Sequence, residues 1–533
     1  MDNIHNQVAL IEQNFANQHY KNVEILSNQL ILKGIQDPWL SNVLAISLSK
    51  QKKFSQAKKI FQQLIDISPE DHDSYFNFAK SFLDQGDNDN ALKYFRKAHS
   101  INSNNLQTIL SILRILVENL NRFNSSNFYD LLEKGMDIED KNPELLSFYS
   151  IYLMQTGNYE KANFIVDHLV DLHVNHANKE PPANLYLNKG VCALELGKYD
   201  EAIQIFTKVC SHDADYNIGI IELRERKFKQ GWLNYERGKV SVRTPRIGYE
   251  KFDTLPYFEL SKNYQSVVLI GEQGIGDEIM FLSMISDLEK EIKKIGLFID
   301  NRLKNLVSKT FPNIIIVDKN TSLETEQFDS KLFIGSLGQF FRNSFDEFKN
   351  AKFPTILPSQ NQLEKIKSFY GNKKKKLRIG LSWETMNQKF AFKRNINLNN
   401  FVPFFENIDA EFVNLQYGDH IKEIEKINKV LGKRLFLPEI GDNFKDLELL
   451  AAKASVCDFI ITIDNLTVHL CGSLNIPTFL LLSEIPEWRW GNHNNKDSLW
   501  YPSVKLYRKK STESWNNILE TILLNINQTK LLK

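Results

Sequence analysis

A glycine-rich turn near the middle of the chain carries the first residue that could do chemistry. The apolar segment SVVLI (266–270) runs directly into Gly-Glu-Gln-Gly-Ile-Gly-Asp-Glu, and a helical pattern follows. Glycines such as Gly274 and Gly276 permit close backbone approach, and the first N–H groups of the helix can face an anion. Asp277 could deprotonate a hydroxyl nucleophile, or it could only cap the helix. The spacing G-x-x-G-x-G fits neither the dinucleotide fingerprint nor the P-loop.

A second polar turn follows the apolar segment DFIITID in the last part of the chain. It contains Asp464, Asn465, Thr467 and His469, and a helix is predicted to begin there. Thr467 and the N–H groups of the first helical turn predict an anion site, since a helix N-terminus carries partial positive charge. His469 could donate a further hydrogen bond to a diphosphate, or it could be a structural side chain of the core.

Cations lie in two loops that would face the same side of a parallel sheet. Lys393 and Arg394 follow the segment RIGLSW, and Arg489 stands between Trp488 and Trp490. The first two would stabilise a departing diphosphate. Arg489 and its flanking tryptophans could stack on a ligand or contact an anion, and packing of the loop is the alternative.

These turns are placed by an alternation of apolar and helical segments that begins after Pro256. Such alternation predicts parallel β-strands covered by helices. It occurs in two series, which predict two Rossmann-like lobes at residues 262–360 and 374–533. The predicted strands are SVVLI (266–270), IGLFI (295–299), NIIIV (313–317), KLFIG (331–335), RIGLSW (378–383), EFVNLQ (411–416), RLFLP (434–438), DFIITID (458–464) and TFLLL (478–482).

The first 245 residues contain a repeat with a period of 34. Its clearest members are three positions that recur after one period, Ala45, Ala57 and Phe61 as Ala79, Ala91 and Phe95. This is the period of the tetratricopeptide repeat, in which two antiparallel helices pack through small residues. Later copies occur at Gly157 and Gly197, the stretch 105–140 is predicted to be a degenerate repeat, and 227–235 a final half repeat. The concave face of such a solenoid could hold an extended peptide.

The composition is that of a globular protein, with 42% hydrophobic and 25% charged residues. The formal net charge of +1 gives no overall preference for nucleic acid or an anionic membrane. The 4 cysteines include no C-x-x-C pair, which favours a reducing compartment without disulfides or a zinc site. Because the sequence has no basic leader and no apolar run of about 18 residues, we expect a cytoplasmic protein without a transmembrane segment.

The chain resembles bacterial glycosyltransferases that carry tetratricopeptide repeats ahead of a heptosyltransferase-like (glycosyltransferase family 9) region. The resemblance is carried, in order, by IGEQGIGDEIMF, KRNINL, FVNLQYGD, ITIDNLTVHLCGSL, PEWRW and WYPSVKLYR. It implies a helical-repeat domain at 1–245 followed by a GT-B fold. The lobe at 262–360 would be the acceptor side, and the lobe at 374–533 the nucleotide-sugar side. The last helix, near 515–525, would return toward the first lobe.

The resemblance also implies roles for individual residues. The implied sites are the catalytic base, Asp277; the donor-diphosphate site, Asp464, Asn465, Thr467 and His469, with the basic loop Lys393 and Arg394; and the nucleoside site, Gln416 and Tyr417. One position departs from the family, where relatives usually have Gly or Ser and this chain has Leu466. A leucine there would narrow the diphosphate turn and could change donor choice or activity.

The implied activity is transfer of a sugar from a nucleotide-diphosphate sugar to a hydroxyl of a protein or a glycan, with inversion. Cations and helix N–H groups would offset the charge on the leaving diphosphate, so we expect neither a metal ion nor a cofactor. The solenoid could hold the acceptor. Two other functions stay open. The first is an interaction scaffold with an inactive transferase-like region, which Leu466 favours. The second is a dinucleotide-dependent oxidoreductase, against which the glycine spacing argues.

Overall fold

The structure, a computed structural model, divides the chain into two compact units, residues 1–179 and 180–533. It describes residues 2–118, 125–176, 179–238, 245, 247–318, 327–371, 376–432, 435–510 and 512–528. Within these ranges, no helix combines the length and the apolar character that crossing a bilayer requires.

The first unit consists of helices that pack as successive hairpins. The stretch 105–140, predicted to be a degenerate repeat, contributes two helices that pack against each other. The helices of the unit are α1 (Asp2–Ala16), α2 (Tyr20–Leu32), α3 (Pro38–Lys50), α4 (Phe54–Ile67), α5 (His72–Asp84), α6 (Asn88–Ile101), α7 (Leu106–Glu118), α8 (Ser125–Ile138), α9 (Pro143–Gln155) and α10 (Tyr159–Asp171), with a π-helical turn at Leu172–His176.

The 34-residue period marks equivalent positions in consecutive hairpins. Phe61 of α4 and Phe95 of α6 are both fully buried, as the repeat predicts. The turn inside each hairpin also recurs, because Lys52 after α3 and Gly86 after α5 both have left-handed backbone, with φ of 62° and 76°. The same local geometry therefore reverses the chain at the same position of each repeat.

The second unit begins with two more helical hairpins. Their helices are α11 (Ala183–Glu195), α12 (Tyr199–Phe206), α13 (His212–Arg224) and α14 (Phe228–Arg237). Helices α13 and α14 approach closely at two glycines, since a Cβ on Gly219 would lie 2.5 Å from the Tyr235 backbone nitrogen. Residues 227–235 are thus not a half repeat but the second helix of a complete hairpin. The sequence did not reveal α13 because it opens on the polar segment HDADYN and its apolar residues are not confined to one face.

A four-stranded parallel sheet follows, in the strand order β3-β2-β1-β4. The strand β1 is buried along its whole length, as expected for a parallel strand covered on both faces. The strands are β1 (Ser266–Ile270), β2 (Lys294–Phe298), β3 (Ile315–Ile316) and β4 (Lys331–Phe333); the helices are α15 (Ile275–Leu282), α16 (Ile285–Leu288), α17 (Lys304–Thr310), α18 (Gly338–Phe341), α19 (Phe345–Lys349) and α20 (Gln360–Tyr370). Short 3-10 turns lie at Tyr249–Phe252, Asn301–Leu303 and Ile334–Leu337.

A five-stranded parallel sheet completes the unit, in the order β6-β5-β7-β8-β9. The strands are β5 (Leu377–Ser382), β6 (Ala410–Asn414), β7 (Phe459–Ile463), β8 (Thr478–Leu482) and β9 (Val504–Arg508); the helices are α21 (Gln388–Arg394), α22 (Val402–Glu406), α23 (Ile421–Val430), α24 (Leu447–Ser455), α25 (Leu466–Ser473) and α26 (Trp515–Gln528). Further 3-10 turns lie at Leu398–Phe401 and Trp488–Trp490.

The predicted pair of parallel α/β layers is confirmed, and all but one of the predicted strands are present. The exception is RLFLP, of which residue 434 lies outside the described residues. Phe436 makes only an isolated bridge to Phe412, and Pro438 cannot continue a ladder because it lacks an N–H group. The strand β9 was not predicted, because its sequence VKLYR interleaves charges. The prediction for the last helix was wrong, since Leu519 and Ile522 of α26 pack into the core beside the second sheet.

The carboxyl edges of the two sheets meet. All strands within each sheet are parallel, so the loops after β1, β7 and β8 leave from carboxyl edges. The helix α15, which follows β1, packs against α25, which follows β7. One continuous hydrophobic core contains residues of both sheets and of the hairpin α13–α14. The second unit is therefore built from two α/β layers together with the hairpins that precede them.

We expect Trp232→Ala to lower the free energy of unfolding of the second unit by about 3–5 kcal/mol, because a large buried side chain is lost. Trp232 of α14 is 1% exposed, and its Nε1 donates a 2.8 Å hydrogen bond to the carbonyl oxygen of Arg342. Denaturant unfolding measures the change. Trp39→Ala, at a position that is 39% exposed, is the matched control. An equally small effect of both changes would contradict the place of α14 in this core.

Candidate functional site

Asp277 lies at the junction of the two carboxyl edges and makes two contacts. One carboxylate oxygen accepts a 3.0 Å hydrogen bond from the backbone nitrogen of Gly274, the residue that caps α15. The other forms an ion pair with Arg489, which follows β8 of the second sheet. The capping alternative raised by the sequence is confirmed, and the side chain also faces a cation, while its role as a base stays a prediction.

Arg489 is the centre of a buried ion network. Its guanidinium contacts Asp277 through Nη2 and lies 4.0 Å from Oδ1 of Asp464 through Nη1. Its side chain is 10% exposed. Burial alone would lower the pKa of Arg489, but the carboxylates of Asp277, Asp464 and Glu487 raise it above its usual range. The guanidinium is therefore a fixed positive charge between the two sheets.

Arg394 continues the network within the second lobe. Its Nη2 lies 2.6 Å from Oε1 of Glu487 and 3.4 Å from Oδ2 of Asp464, and its Nη1 donates to the Asp464 carbonyl oxygen at 3.2 Å. The neighbouring Lys393 instead pairs with Glu195 of the repeat helix α11, at 3.0 Å. The prediction of a basic loop was wrong, since Lys393 and Arg394 form the last turn of α21. They face different partners, because Arg394 pairs with Glu487 and Lys393 pairs with Glu195 of the repeats.

Glu487 is an acid that the sequence did not single out. Burial opposes its ionisation, but the surrounding cations Arg394, Lys393 and Arg489 outweigh burial and lower its pKa to about 2. It lies within the motif Glu-Trp-Arg-Trp, in which the tryptophans and the arginine are the less common residue types. Glu195 carried no sequence signal, because its partner lies 198 residues away.

His469 lies near the start of α25 and fills the space between this helix and the N-terminus of α15. Its Nδ1 lies 3.0 Å from the hydroxyl oxygen of Tyr501, and its ring centroid lies 5.4 Å from that of Trp490. A Cβ on Gly276 would approach its Cδ2 to 2.6 Å, so only glycine fits there. Burial and the nearby Arg489 and Arg394 hold the pKa of His469 well below its usual range. The imidazole is therefore neutral and closely packed.

Asn465 and Thr467 hold the turn after β7 against the end of β5. The Asn465 side chain accepts from the Thr467 backbone nitrogen at 3.0 Å and donates to Oγ of Ser382 at 2.9 Å. The Thr467 hydroxyl lies 3.3 Å from the same Ser382 oxygen. Leu466 is the first residue of α25 and packs against the large core of the unit. The helix start is thus capped by the chain itself.

Gln416 and Tyr417 follow β6 after one intervening residue, and both are buried. The Gln416 side-chain oxygen accepts from the backbone nitrogens of Trp383 and Glu384, each at 2.9 Å, while its nitrogen donates to the carbonyl oxygens of Glu384 and Tyr417. Burial raises the pKa of Tyr417 to about 12. These two residues organise the loop after β5, and Tyr417 lies close enough to Arg394 and Asp464 to feel their charges.

The structure therefore brings together Asp277, Arg489, Asp464 and Arg394 in one chain of contacts, with His469 packed beside them. Such an arrangement offers a carboxylate for proton transfer next to two arginines suited to phosphate. Among the residues that the structure describes, no group of three or more His, Cys, Asp or Glu side chains could hold a metal ion.

Two segments of the chain match tetratricopeptide repeat models, residues 42–105 and residues 183–216. The first match covers α3 to α6, and the second covers α11 and α12. The N-terminal helices thus form a tetratricopeptide repeat solenoid, and the prediction from the 34-residue period is confirmed.

A curated relative and several solved structures match part of the chain. Protein FlbA from Caulobacter vibrioides is 28% identical over 272 residues, which cover 47% of this chain and 44% of FlbA. The chain thus spans less than half the length of this curated relative. A tetratricopeptide repeat protein from Parabacteroides merdae is 13% identical with a TM-score of 0.34, over 45% of this chain and 94% of that one. YrrB, a repeat protein with an unusual peptide-binding site, is 20% identical with a TM-score of 0.27, over 34% of this chain and 90% of YrrB.

We expect Gly276→Ala and Gly274→Ala to differ in their effect on stability. A Cβ on Gly276 would meet the His469 ring at 2.6 Å, whereas a Cβ on Gly274 would lie 3.4 Å from the Asp277 carboxylate. Gly276→Ala should cost about 1–3 kcal/mol because overpacking displaces the ring. Gly274→Ala should cost no more than about 1 kcal/mol. Denaturant unfolding of both variants measures this, and equal losses would mean that the contact between α15 and His469 is not tight.

We expect Glu487→Gln to reduce stability most at neutral pH. The ordinary pKa of the carboxyl group is 4.5, and it falls to about 2 in the folded protein. The ion pairs therefore contribute fully above about pH 4.5, and the contribution is lost as pH falls toward 2. Denaturant unfolding at several pH values between 7 and 3 should show the gap to wild type narrowing with acid. Glu425→Gln, on the exposed side of α23, is the control, and a gap for Glu487→Gln that does not narrow would contradict the prediction.

Proposed function

We propose that the chain is a glycosyltransferase that moves a sugar from a nucleotide-diphosphate sugar to a hydroxyl of a protein or glycan. The observation that carries the proposal is the contact between Asp277, from the carboxyl edge of the first sheet, and Arg489, from the carboxyl edge of the second. In open α/β sheets, ligands bind at carboxyl edges, and here a candidate base and candidate phosphate ligands meet at such an edge. The proposal treats the two layers as the facing lobes of a GT-B fold.

The proposed reaction is one displacement at the anomeric carbon. The acceptor oxygen forms a bond to that carbon while the bond to the diphosphate oxygen breaks, and the electron pair leaves with the diphosphate. Asp277 takes the proton of the acceptor hydroxyl, and the configuration inverts. In this scheme the first lobe binds the acceptor and the second binds the nucleotide sugar.

The arginines supply the charge that the leaving diphosphate needs. Arg394 and Arg489 present planar forks, which suit phosphate oxygens better than a lysine does. Nε of Arg489 is buried without a hydrogen-bond acceptor among the described residues, so this guanidinium has a donor to spare. Asp277 and Asp464 face the fork of Arg489, and Glu487 and Asp464 face that of Arg394. Exchange of Asp277 for a phosphate oxygen at Arg489 would release this carboxylate for proton transfer.

The acceptor side of the proposal includes the repeats. Solenoids of this kind present extended surfaces that hold peptides. A glycan that docks on the same surface fits the chemistry at Asp277 equally well.

A second candidate is an interaction scaffold with an inactive transferase-like region. The observation that favours it is the filled junction, where His469 packs against Gly276 and the chain's own carboxylates occupy both arginines. Leu466 at the diphosphate turn adds an apolar side chain there. Under this proposal the repeats are the working part of the protein.

Donor binding separates the two proposals. The experiment is a thermal-shift panel of ADP-, GDP-, UDP-, dTDP- and CMP-linked sugars with NAD as a further ligand, since a ligand of the folded state raises the unfolding midpoint. We expect one nucleotide sugar to raise the midpoint of the wild-type protein. The shift should vanish in Lys393→Ala/Arg394→Ala and persist in Lys426→Ala/Lys429→Ala, a control on α23. No shift with any sugar would support the scaffold, and a shift with NAD alone would indicate an oxidoreductase.

The role of Asp277 is tested with the donor found in that panel. Asp277→Asn keeps an oxygen to cap α15 but cannot take a proton, so transfer should fall by about 100-fold or more while the thermal shift stays. Nucleotide release in the presence of host cell extract, as the acceptor source, measures transfer. Asp346→Asn, at a position of α19 that is 86% exposed, is the control. Unchanged turnover in Asp277→Asn would overturn the assignment of the base.

A further inference from the structure

We propose that Arg224 of the repeat hairpin α13–α14 is a positioning residue for the loop that carries Glu487 and Arg489, so that this hairpin is part of the donor site. The inference rests on the proposed function for its consequence, but the contact itself is independent of it. Arg224 is the last residue of α13, and the loop follows β8 of the second sheet.

The contact is made to the backbone on one side of the two functional side chains. Nη2 of Arg224 donates a 2.7 Å hydrogen bond to the carbonyl oxygen of Pro486, the residue before Glu487. Nη1 donates to the hydroxyl oxygen of Tyr199 at 2.9 Å, and the guanidinium stacks 5.2 Å from the Tyr199 ring centroid. Arg224 is 5% exposed. Tyr199 thus fixes the guanidinium, and the guanidinium fixes the loop.

A second arginine contacts the backbone at the other end of the segment 487–489. Arg508, at the end of β9, donates to the carbonyl oxygen of Trp490 through Nη2 and to that of Asn495 through Nη1. Pro486 and Trp490 flank the segment 487–489, so the two arginines hold its backbone from both ends. In the described part of the chain, neither arginine has a carboxylate within 4.0 Å. Arg508 donates to two carbonyl oxygens, and Arg224 donates to one carbonyl oxygen and to the Tyr199 hydroxyl.

This placement costs electrostatic energy, which argues that it serves the loop. Burial lowers the pKa of Arg508 to about 10, and the nearby Arg224 and Arg226 lower it in the same direction. Like charges brought together in a buried region are unfavourable unless other contacts offset them. The compensating contacts here are the loop carbonyls and, for Arg224, the charge of Glu487, whose pKa it helps to lower.

The consequence is control of where Glu487 and Arg489 point. Glu487 holds Arg394, and Arg489 holds Asp277 and Asp464, so a shift of this loop would displace every group of the ion network. A displacement of about 1 Å is enough to lower catalytic efficiency strongly. The final repeat hairpin therefore holds the backbone of this loop through the guanidinium of Arg224.

The test measures the loop and the site in the same full-length protein. Hydrogen exchange reports the loop through the amides of Trp490 and Gly491, which donate to the carbonyl oxygens of Glu487 and Trp488. Isothermal titration with inorganic pyrophosphate, used as the probe, reports the diphosphate site. In Arg224→Gln we expect these amides to exchange about ten-fold faster or more, because a buried charge-assisted hydrogen bond is lost. The dissociation constant for pyrophosphate should rise by a similar factor.

Milder variants and internal references separate positioning from general destabilisation. Arg224→Lys keeps the charge but cannot hold Pro486 and Tyr199 together, and Tyr199→Phe removes one acceptor, so both should give intermediate effects. Arg237→Gln changes an arginine of the same hairpin whose side chain is 52% exposed, and it should change neither readout. The amides of β7 should exchange as in wild type in every variant.

Unchanged exchange of Trp490 and Gly491 in both Arg224 variants would overturn the proposal. Equal acceleration in β7 would overturn it as well, because the effect would then be global. Faster loop exchange with no binding of pyrophosphate by the wild-type protein would support the positioning role and count against the transferase. The two ideas therefore fail in different measurements.

Discussion

The arrangement of the second unit depends on one buried guanidinium, that of Arg489, held between carboxylates that come from different sheets. Buried ion pairs contribute little net stability, because desolvation offsets the attraction. Removal of one partner is nevertheless costly, at about 3–5 kcal/mol, since an uncompensated charge is left behind. The pair between Arg489 and Asp277 therefore selects one relative placement of the two carboxyl edges more than it strengthens the fold. The tight contact of His469 with Gly276 enforces the same placement by packing.

Compact units and sequence repeats do not coincide in this protein. The second tetratricopeptide match, at residues 183–216, lies inside the unit that also contains both sheets. Its helices contribute to the site through polar contacts, of which the pair of Glu195 with Lys393 is the clearest. A repeat that elsewhere only stacks on its neighbours thus also pairs with side chains of an α/β domain. The same helix type serves two purposes, depending on which surface its polar residues face.

Local patterns predicted much of the fold. Strands such as SVVLI and TFLLL were predicted at their observed bounds, because continuous β-branched and apolar runs are typical of buried parallel strands. Glycine turns and polar turns after such strands also pointed to the residues that meet at the junction. RLFLP had the same apolar character, but among its described residues it pairs with the sheet only by the bridge at Phe436, so pattern alone could not exclude it. The strand β9 was missed for the opposite reason. It pairs with β8, but the charged residues in VKLYR interrupt the apolar pattern that would indicate a strand.

The partners of the site residues could not be predicted in the same way. The sequence indicated that Arg489 could contact an anion, but not that the anion would be Asp277, which lies 212 residues earlier. Gln416 illustrates the reverse case, because an amide that could contact a nucleoside is instead occupied by four backbone groups. Pairings of this kind follow from the fold topology and from the competition of neighbouring groups for the same hydrogen-bond partner. Neither can be read from the residue type at one position.

The contact of Arg224 with Pro486 has a consequence for the order in which the protein assembles during synthesis. The two residues are separated by 262 positions. At about 5–20 residues per second, a ribosome needs on the order of 10–50 seconds to make the intervening chain. Throughout that interval the hairpin α13–α14 exists without Trp488 and Trp500, two of the side chains that pack against Trp232. The nascent repeats must therefore keep a large aromatic side chain from wrong partners until both α/β layers have left the exit tunnel.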